Sequence, residues 1–168
     1  MRILTIATKK DEKFLRQETE RIDLANLRAQ NLGSLVREMR STMRRADGVG
    51  LSANQIGLSL KLFIAEIPAE RAHGESKFYA VVNPEIIKQS DTVAELEEGC
   101  LSVPGVFGPV LRPDRIVVSG FDIKGKPVKL KAWGFLARIF QHEIDHLNGT
   151  LFIDKASALH KADPVKKK

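Results

Sequence analysis

The chain has 168 residues, of which 43% are hydrophobic and 29% are charged, values that suit one soluble globular domain around a single core. No apolar run reaches the length of a membrane span, and the apolar part of the N-terminal segment is too short for a signal peptide, so we expect a cytoplasmic protein without a membrane partner. The net charge of +6 is modest and its basic clusters contain no interleaved aromatic residues, which argues against sequence-specific nucleic-acid binding.

The first part of the chain predicts one surface helix. Residues 1–25 show no clear period, so we expect them to be irregular. Between residues 23 and 47, apolar residues recur at spacings of three and four, and arginines fall between them. This pattern is typical of an amphipathic helix that ends at Asp47-Gly48. We interpret its arginines as a solvated face.

Residues 48–55, with the sequence GVGLSANQ, superficially match a dinucleotide-binding fingerprint. That fingerprint requires a strand before it and a helix after it, whereas here a helix precedes and the strand-like stretch 60–67 follows. The nucleotide interpretation therefore fails. Two interpretations remain: a plain turn, or a backbone excursion in which glycines permit a close approach and Asn54 and Gln55 supply amide donors.

The middle of the chain predicts short strands. Candidates lie at residues 78–82, which end at Asn83-Pro84, and at residues 92–96. A segment with the only cysteine follows, and after it comes a stretch rich in glycine and proline that we expect to be a loop. Residues 116–123 and 127–132 predict a β-hairpin.

The motif that organises the chain is His142-Glu143-Ile144-Asp145-His146. On a helix, two histidines four residues apart share one face and can bind one metal ion, and the glutamate between them can reach a water molecule on it. Apolar residues cover more than half of this helix and Gly149 suits a left-handed cap, so we expect a central helix with buried histidines. The alternative is a pair of satisfied core histidines. A polar stripe remains: Arg138, Gln141, Asp145 and Asn148.

These elements predict an α+β fold in which short, mostly antiparallel strands pack around the central helix. No repeat or linker divides the chain, so residues 1–168 are expected to form one domain, with residues 154–168 as a short basic tail. The tail lysines have two interpretations: a solvated end of the chain, or a transient contact with ribosomal RNA.

The lone cysteine supplies a third candidate ligand. If Cys100 joins the two histidines, the site has one thiolate, two imidazoles and an open position, which is a catalytic arrangement. Glu143 would then take a proton from water and pass it to a leaving group. The side-chain amide of Gln55 and the backbone N–H of Leu101 are candidate donors to an oxyanion. The alternative for Cys100 is a buried, small apolar residue.

Three segments in this order, residues 48–55, residues 98–102 (EGCLS) and residues 141–146 (QHEIDH), together resemble the peptide deformylases. The resemblance covers residues 30–153. It implies the α+β fold just described and a metal-dependent hydrolase that removes the N-formyl group from formyl-methionine on newly synthesised polypeptides and releases formate. Ser52 departs from the family pattern, which usually has alanine there.

The resemblance also implies residue roles. The metal ligands would be Cys100, His142 and His146, the general base and acid Glu143, and the oxyanion donors Gln55 and the amide of Leu101. The methionine pocket would be lined by Val49, Glu98, Phe135, Arg138, Ile139 and His142, and the peptide backbone would pair with Val49, Gly50 and Gly99. One Fe(II) ion per chain is expected, with Zn(II), Ni(II) or Co(II) able to occupy the same site, in a monomeric enzyme.

Two other classes compete with this hypothesis. A metalloprotease with the same helical motif usually takes its third ligand from downstream, where this chain offers Asp154, His160 and Asp163. A non-catalytic metal-binding module gives no role to Glu143 or Gln55. A Cys100→Ser variant separates the cases, because it should disturb the metal only in the deformylase arrangement.

Overall fold

The computed structural model of the chain describes residues 1–26, 31–71 and 75–161. Within these ranges the α-helices are α1 (Lys9–Leu15), α2 (Leu32–Arg45) and α3 (Gly134–Leu147). The strands are β1 (Gly50–Ser52), β2 (Leu62–Ile67), β3 (Lys77–Gln89), β4 (Val93–Cys100), β5 (Val103–Pro113), β6 (Arg115–Phe121), β7 (Pro127–Trp133) and β8 (His160–Lys161). Short 3-10 helices lie at Leu24–Asn26, Ala53–Ile56, Ala69–Arg71 and Phe152–Asp154. All the ladders between these strands are antiparallel, which confirms the predicted α+β class.

The strands form two sheets. The first has the order β1-β2-β3-β6-β7 and the second the order β4-β5-β8. Among the described residues, β1 and β4 therefore each have one hydrogen-bonded neighbour and are edge strands. Both contribute to the functional site described below.

The five-stranded sheet is covered on both faces, and strand β2 shows why. Its residues Leu62–Ile67 are all buried. Phe63 and Ala65 pack with residues of α3 on one side, whereas Leu62 and Ile64 pack with residues of α2 on the other. Because successive side chains of a strand point to opposite faces, a strand between two helices is mostly apolar on both faces, and in β2 only Glu66 departs from this pattern.

Helix α3 is the central helix that the sequence predicts. It packs on β1, β2 and β7 of the first sheet and on β5 of the second. Gly149, just after it, has a φ of 74°, which is the left-handed conformation expected of that glycine. The predicted polar stripe is not a solvent-facing one, because Arg138 and Gln141 are buried and only Asn148 is exposed. Arg138 donates hydrogen bonds to the carboxylate of Glu98 and to the backbone carbonyl of Val110. Gln141 donates one to the backbone carbonyl of Pro113.

The predicted hairpin of β6 and β7 is confirmed, but three strand predictions need correction. Strand β3 does not end at Asn83-Pro84; it continues to Gln89 through a register shift between Val82 and Glu85. Strand β4 continues to Cys100. The stretch rich in glycine and proline is not a loop but β5.

The prediction that residues 1–25 are irregular is wrong, because α1 lies within them. Thr8 caps this helix, and its side chain accepts a hydrogen bond from the backbone N–H of Asp11, as a threonine before a first helical turn does. The predicted helix of residues 23–47 is shorter, because α2 begins at Leu32. No helix among the described residues is long and apolar enough to cross a membrane.

Two arginines of α2 bind a buried glutamate of the five-stranded sheet. Arg40 and Arg44 lie one turn apart on α2, and both bind the carboxylate of Glu66 on β2, with N–O distances of 2.6 and 2.5 Å. The side chain of Glu66 is only 7% exposed. The pair of arginines therefore attaches α2 to the five-stranded sheet, and the face is still solvated because Arg44 is exposed.

Candidate metal centre

Helix α3 and the end of strand β4 bring three candidate ligands together. His142 and His146 lie on one face of α3, with ring centroids 5.0 Å apart. The sulfur of Cys100 lies 3.1 Å from Nε2 of His146. One ligand atom from each of the three residues falls within 4.8 Å of the others. The structure thus assembles the three residues that the sequence singles out as ligands.

The donor set fits a divalent metal. Nδ1 of His142 lies 2.9 Å from a carboxylate oxygen of Glu98, which assigns the ring proton to Nδ1 and leaves Nε2 free to bind a metal. His146 is 1% exposed, and its Nδ1 has no hydrogen-bond partner among the described residues. Two imidazoles and one thiolate are ligands that both zinc and ferrous iron accept.

Glu98 is held in a buried ionic network. Its carboxylate accepts hydrogen bonds from Arg112 at 2.5 and 2.9 Å and from Arg138 at 2.6 Å. Burial raises the pKa of Glu98, but the hydrogen bonds from Arg112 and His142 lower it more, so its pKa lies well below the ordinary value. The carboxylate stays ionised and fixes the orientation of His142.

Cys100 and His142 influence each other's protonation. Burial raises the pKa of the Cys100 thiol, but the charge of His146 and hydrogen bonds from both histidines lower it well below the usual value. Burial lowers the pKa of His142, but hydrogen bonds to Cys100 and Glu98 raise it to about 10. These shifts favour the thiolate form of Cys100, and a metal bound by Nε2 of His142 would displace the proton that His142 holds.

Glu143 lies beside the three candidate ligands but is not among them. It is 3% exposed, and its carboxylate accepts a hydrogen bond from the hydroxyl of Ser52 at 2.6 Å. Burial raises the pKa of Glu143, and the neighbouring histidine charges and Ser52 lower it only in part, so the net pKa is raised. A carboxylate with a raised pKa is a stronger base toward water than an ordinary glutamate.

The amide of Gln55 has a defined orientation. Its Oε1 accepts a hydrogen bond from the backbone N–H of Ser52 at 2.8 Å, so Nε2 points the other way. Nε2 lies 3.1 Å from Oγ of Ser102 and 3.6 Å from the sulfur of Cys100. The donor end of this amide therefore faces the candidate metal site.

A cavity of about 470 Å³ opens onto these groups. All of the residues that the sequence assigns to the site line it, except His146, which lies deeper. They are Val49, Gly50, Gln55, Glu98, Gly99, Cys100, Leu101, Phe135, Arg138, Ile139, His142 and Glu143. Gly50 lies on edge strand β1 and Gly99 on edge strand β4, so the two sheets present their edges to the same cavity.

Sequence reasoning missed three residues that support the site. Ser52 binds Glu143 and Ser102 binds Gln55, and both serines lie within segments already singled out, so their positions could have identified them. Arg112 binds Glu98 at one side and Asp145 of α3 at the other, at 2.7 Å. It lies in a stretch that looks like a loop, and no local signal marks it.

Comparisons with known proteins agree with this geometry. The family model of polypeptide deformylase matches residues 3–162. The peptide deformylase of Elusimicrobium minutum (strain Pei191) is 43% identical over 148 residues, which cover 86% of this chain and 83% of that protein. Peptide deformylase 2 of Prochlorococcus marinus (strain MIT 9313) is 43% identical over 143 residues, which cover 85% of this chain and 69% of that protein.

Solved structures give the same result. The peptide deformylase of Thermotoga maritima superposes with a TM-score of 0.81 at 35% identity, over 94% of this chain and 97% of that one. The peptide deformylase of Synechococcus elongatus, solved in complex with actinonin, superposes with a TM-score of 0.81 at 34% identity, over 94% of this chain and 79% of that one.

Proposed function

Because the chain belongs to the polypeptide deformylase family, we propose that its site removes the N-formyl group from the formyl-methionine of newly synthesised polypeptides and releases formate. The activity is that of a metal-dependent hydrolase. One observation carries the proposal: a cavity joins a Cys-His-His ligand set to a buried carboxylate, Glu143, and to an oriented amide, Gln55.

Cys100, His142 and His146 would hold the metal. Bound there, a divalent ion would polarise the formyl carbonyl and lower the pKa of a water molecule. We propose Fe(II) as the native ion, with Zn(II), Ni(II) or Co(II) able to replace it. The donor set suits zinc as well as iron, so the choice of iron rests on the resemblance to the family.

Glu143 is the proposed general base and acid. As the water oxygen attacks the formyl carbon, the carboxylate takes a proton from it. The carbon–nitrogen bond then breaks, and the same proton passes to the amine nitrogen of methionine, so formate leaves and a free N-terminus remains. Burial raises the pKa of Glu143 above its ordinary value, which supports this role because the carboxylate is then a stronger base toward water.

Two donors are proposed to stabilise the oxyanion. Nε2 of Gln55 is directed toward the site by its hydrogen bonds. The backbone N–H of Leu101 directly follows Cys100, and Leu101 lines the same cavity. Donors that are fixed before the reaction stabilise developing charge without reorganisation.

The topology supports an extended peptide as the substrate. An extended chain between β1 and β4 could hydrogen-bond to both edges, near Val49, Gly50 and Gly99, as peptides that extend a sheet do. Phe135 and Ile139 offer an apolar surface for the methionine side chain. The polar ends of Glu98 and Arg138 are bound to each other and to protein groups, so we assign only their hydrocarbon parts to the pocket.

The protease alternative finds no support among the described downstream residues. Asp154 binds Arg16 and the backbone of Leu151, and His160 binds Glu97. Asp163 lies outside the described residues. The third candidate ligand comes from upstream instead, from Cys100.

We further propose one catalytic domain, acting as a monomer in the cytoplasm near the ribosomes that supply its substrate. Contacts of α3 with both sheets support a single domain. Of the predicted basic tail, Lys161 is exposed on β8, and residues 162–168 lie outside the described residues, so the ribosome contact stays a prediction.

The direct test uses anaerobically purified protein with formyl-Met-Ala-Ser and with acetyl-Met-Ala-Ser, and measures released formate or acetate. We expect formate release and little action on the acetyl peptide, because its extra methyl group must displace packed atoms around the carbonyl. Failure to release formate from any formyl-methionyl peptide with metal bound contradicts the proposed function. Equal rates on both peptides contradict the steric argument alone.

A further inference from the structure

Strand β1 contributes a residue whose side chain contacts the proposed base directly. We propose that Ser52 is a positioning residue: its hydroxyl holds the carboxylate of Glu143 in the orientation that proton transfer requires. The inference rests on the proposed function, because it deepens the role given there to Glu143.

The alternation of β1 directs Ser52 toward α3. Successive residues of a strand point to opposite faces. Leu51 packs into the core beside α2, whereas Ser52 on the opposite face contacts α3. Ser52 is fully buried, at 0% exposure. Its hydroxyl is therefore shielded from bulk solvent, and it lies against the segment of α3 that carries Glu143.

The hydroxyl has one proton to donate, and its closest acceptor is the carboxylate. Oγ of Ser52 lies 2.6 Å from Oε2 of Glu143 and 3.0 Å from the backbone carbonyl of the same residue. The shorter contact, to the charged acceptor, takes the proton, since charge-assisted hydrogen bonds are the shorter and stronger ones. One oxygen of the carboxylate is thereby fixed.

Gly50, two residues earlier on the same strand, leaves room for the second oxygen. A Cβ atom at that position would lie 2.2 Å from Oε1 of Glu143. The carboxylate therefore occupies space that only glycine leaves open, while Ser52 supplies its donor. Together the two residues form a cradle for the base, and Oε1 remains the oxygen without a hydrogen bond from Ser52.

Ser52 also links the base to the proposed oxyanion donor. Its backbone N–H donates to Oε1 of Gln55 at 2.8 Å, which turns the amide nitrogen toward Cys100. The same residue thus orients both Glu143 and Gln55. Removal of the hydroxyl should affect the first link and leave the backbone link in place.

The test compares Ser52→Ala with wild type and with Thr19→Val. Thr19 is a matched control, because it is also buried and its hydroxyl also donates to α3, to the carbonyl of Leu147 at 2.9 Å. For Ser52→Ala we expect kcat for formate release to fall about tenfold with KM and metal content unchanged. For Thr19→Val we expect kcat within twofold of wild type, although both variants lose thermal stability.

Crystal structures of the two variants give a readout that does not depend on turnover. In Ser52→Ala we expect the Glu143 carboxylate to rotate or to occupy more than one conformer, whereas in Thr19→Val it should stay as in wild type. A kcat for Ser52→Ala within twofold of wild type, or an unmoved single conformer of Glu143, overturns the inference. If wild type itself releases no formate, the proposed function fails, and the crystallographic comparison still decides whether Ser52 positions Glu143.

Discussion

At the scale of single residues, the candidate site places two buried glutamates in different surroundings, one beside a proposed metal ligand and one as the proposed base. Glu98 and Glu143 are both buried glutamates beside His142, yet their pKa values move in opposite directions. Glu98 has two arginine partners and stays ionised, whereas Glu143 has a hydroxyl partner and can be protonated. Neighbouring groups, more than residue type, therefore support the proposal that Glu98 orients a metal ligand and Glu143 transfers a proton.

The assignment of Glu143 predicts the behaviour of Glu143→Gln. This variant should keep its metal, because Glu143 is not among the grouped ligands, and should lose roughly 10²- to 10⁴-fold or more in turnover. The measurements are formate release and metal content by elemental analysis. Cys100→Ser serves as the contrast, since it should lose metal as well. Near-normal turnover in metal-loaded Glu143→Gln would remove Glu143 from its proposed role.

At the scale of elements, the errors of sequence prediction have physical causes. Strand β5 contains three prolines, a composition that is typical of a loop. Its neighbour β8 pairs only with Val106 and Phe107. Most of β5 therefore has β4 as its only strand neighbour among the described residues, and a missing N–H costs little at an edge. Strand β3 passes Asn83-Pro84 because Asn83, with a φ of 48°, adopts the left-handed conformation at a register shift.

The attachment of α2 to β2 predicts a pH-dependent stability. Hydrogen bonds from Arg40 and Arg44 lower the pKa of Glu66 from 4.5 to about 2, against an opposing effect of burial. A carboxyl group with a lower pKa in the folded state stabilises the fold above its unfolded pKa, and this stabilisation is lost as pH falls from about 4.5 toward 2. Because both arginines are partly exposed, we expect about 1 kcal/mol.

The measurement is the free energy of unfolding of wild type and Glu66→Gln between pH 7 and pH 2.5. The difference should be largest near pH 6 and should shrink on acidification, while titration of the metal ligands affects both proteins equally. Glu85→Gln is the control, because Glu85 pairs with Arg21 where both side chains are more than half exposed. A constant difference between wild type and Glu66→Gln across this range would show that Glu66 does not stabilise the fold through its charge.

At the scale of the whole molecule, the site is assembled from distant parts of the chain. The ligand spacing within α3 is local, so the sequence predicts His142 and His146 together. The contacts of Ser52 with Glu143, of Gln55 with Cys100, and of Arg112 with Glu98 join different strands and helices. No periodicity or propensity records such contacts, so the supporting network emerges only when the two sheets and α3 pack together.

The candidate metal ligands come from two parts of the fold, and the proposed iron would make the site sensitive to oxygen. Cys100 comes from the second sheet and both histidines come from α3, so a bound ion should also join these two parts. Ferrous iron bound to a thiolate in a cavity open to solvent is exposed to oxygen, which can oxidise both the iron and Cys100. We therefore expect activity to decay in air during normal handling, and anaerobic handling or nickel substitution to prevent the decay.

A finding of zinc in place of iron would test the proposed metal without testing the proposed ligands. One experiment combines three measurements on protein expressed with iron available. They are elemental analysis, a time course of formate release in air, and mass spectrometry of Cys100. Loss of activity together with added oxygen on Cys100 supports iron, because a redox-inert zinc ion has no such route. An air-stable enzyme that contains only zinc contradicts the iron assignment, yet it leaves the ligands in place, since zinc accepts the same thiolate and imidazoles. Chelation of either metal should lower the thermal unfolding midpoint, because the ion stabilises the contact between the second sheet and α3.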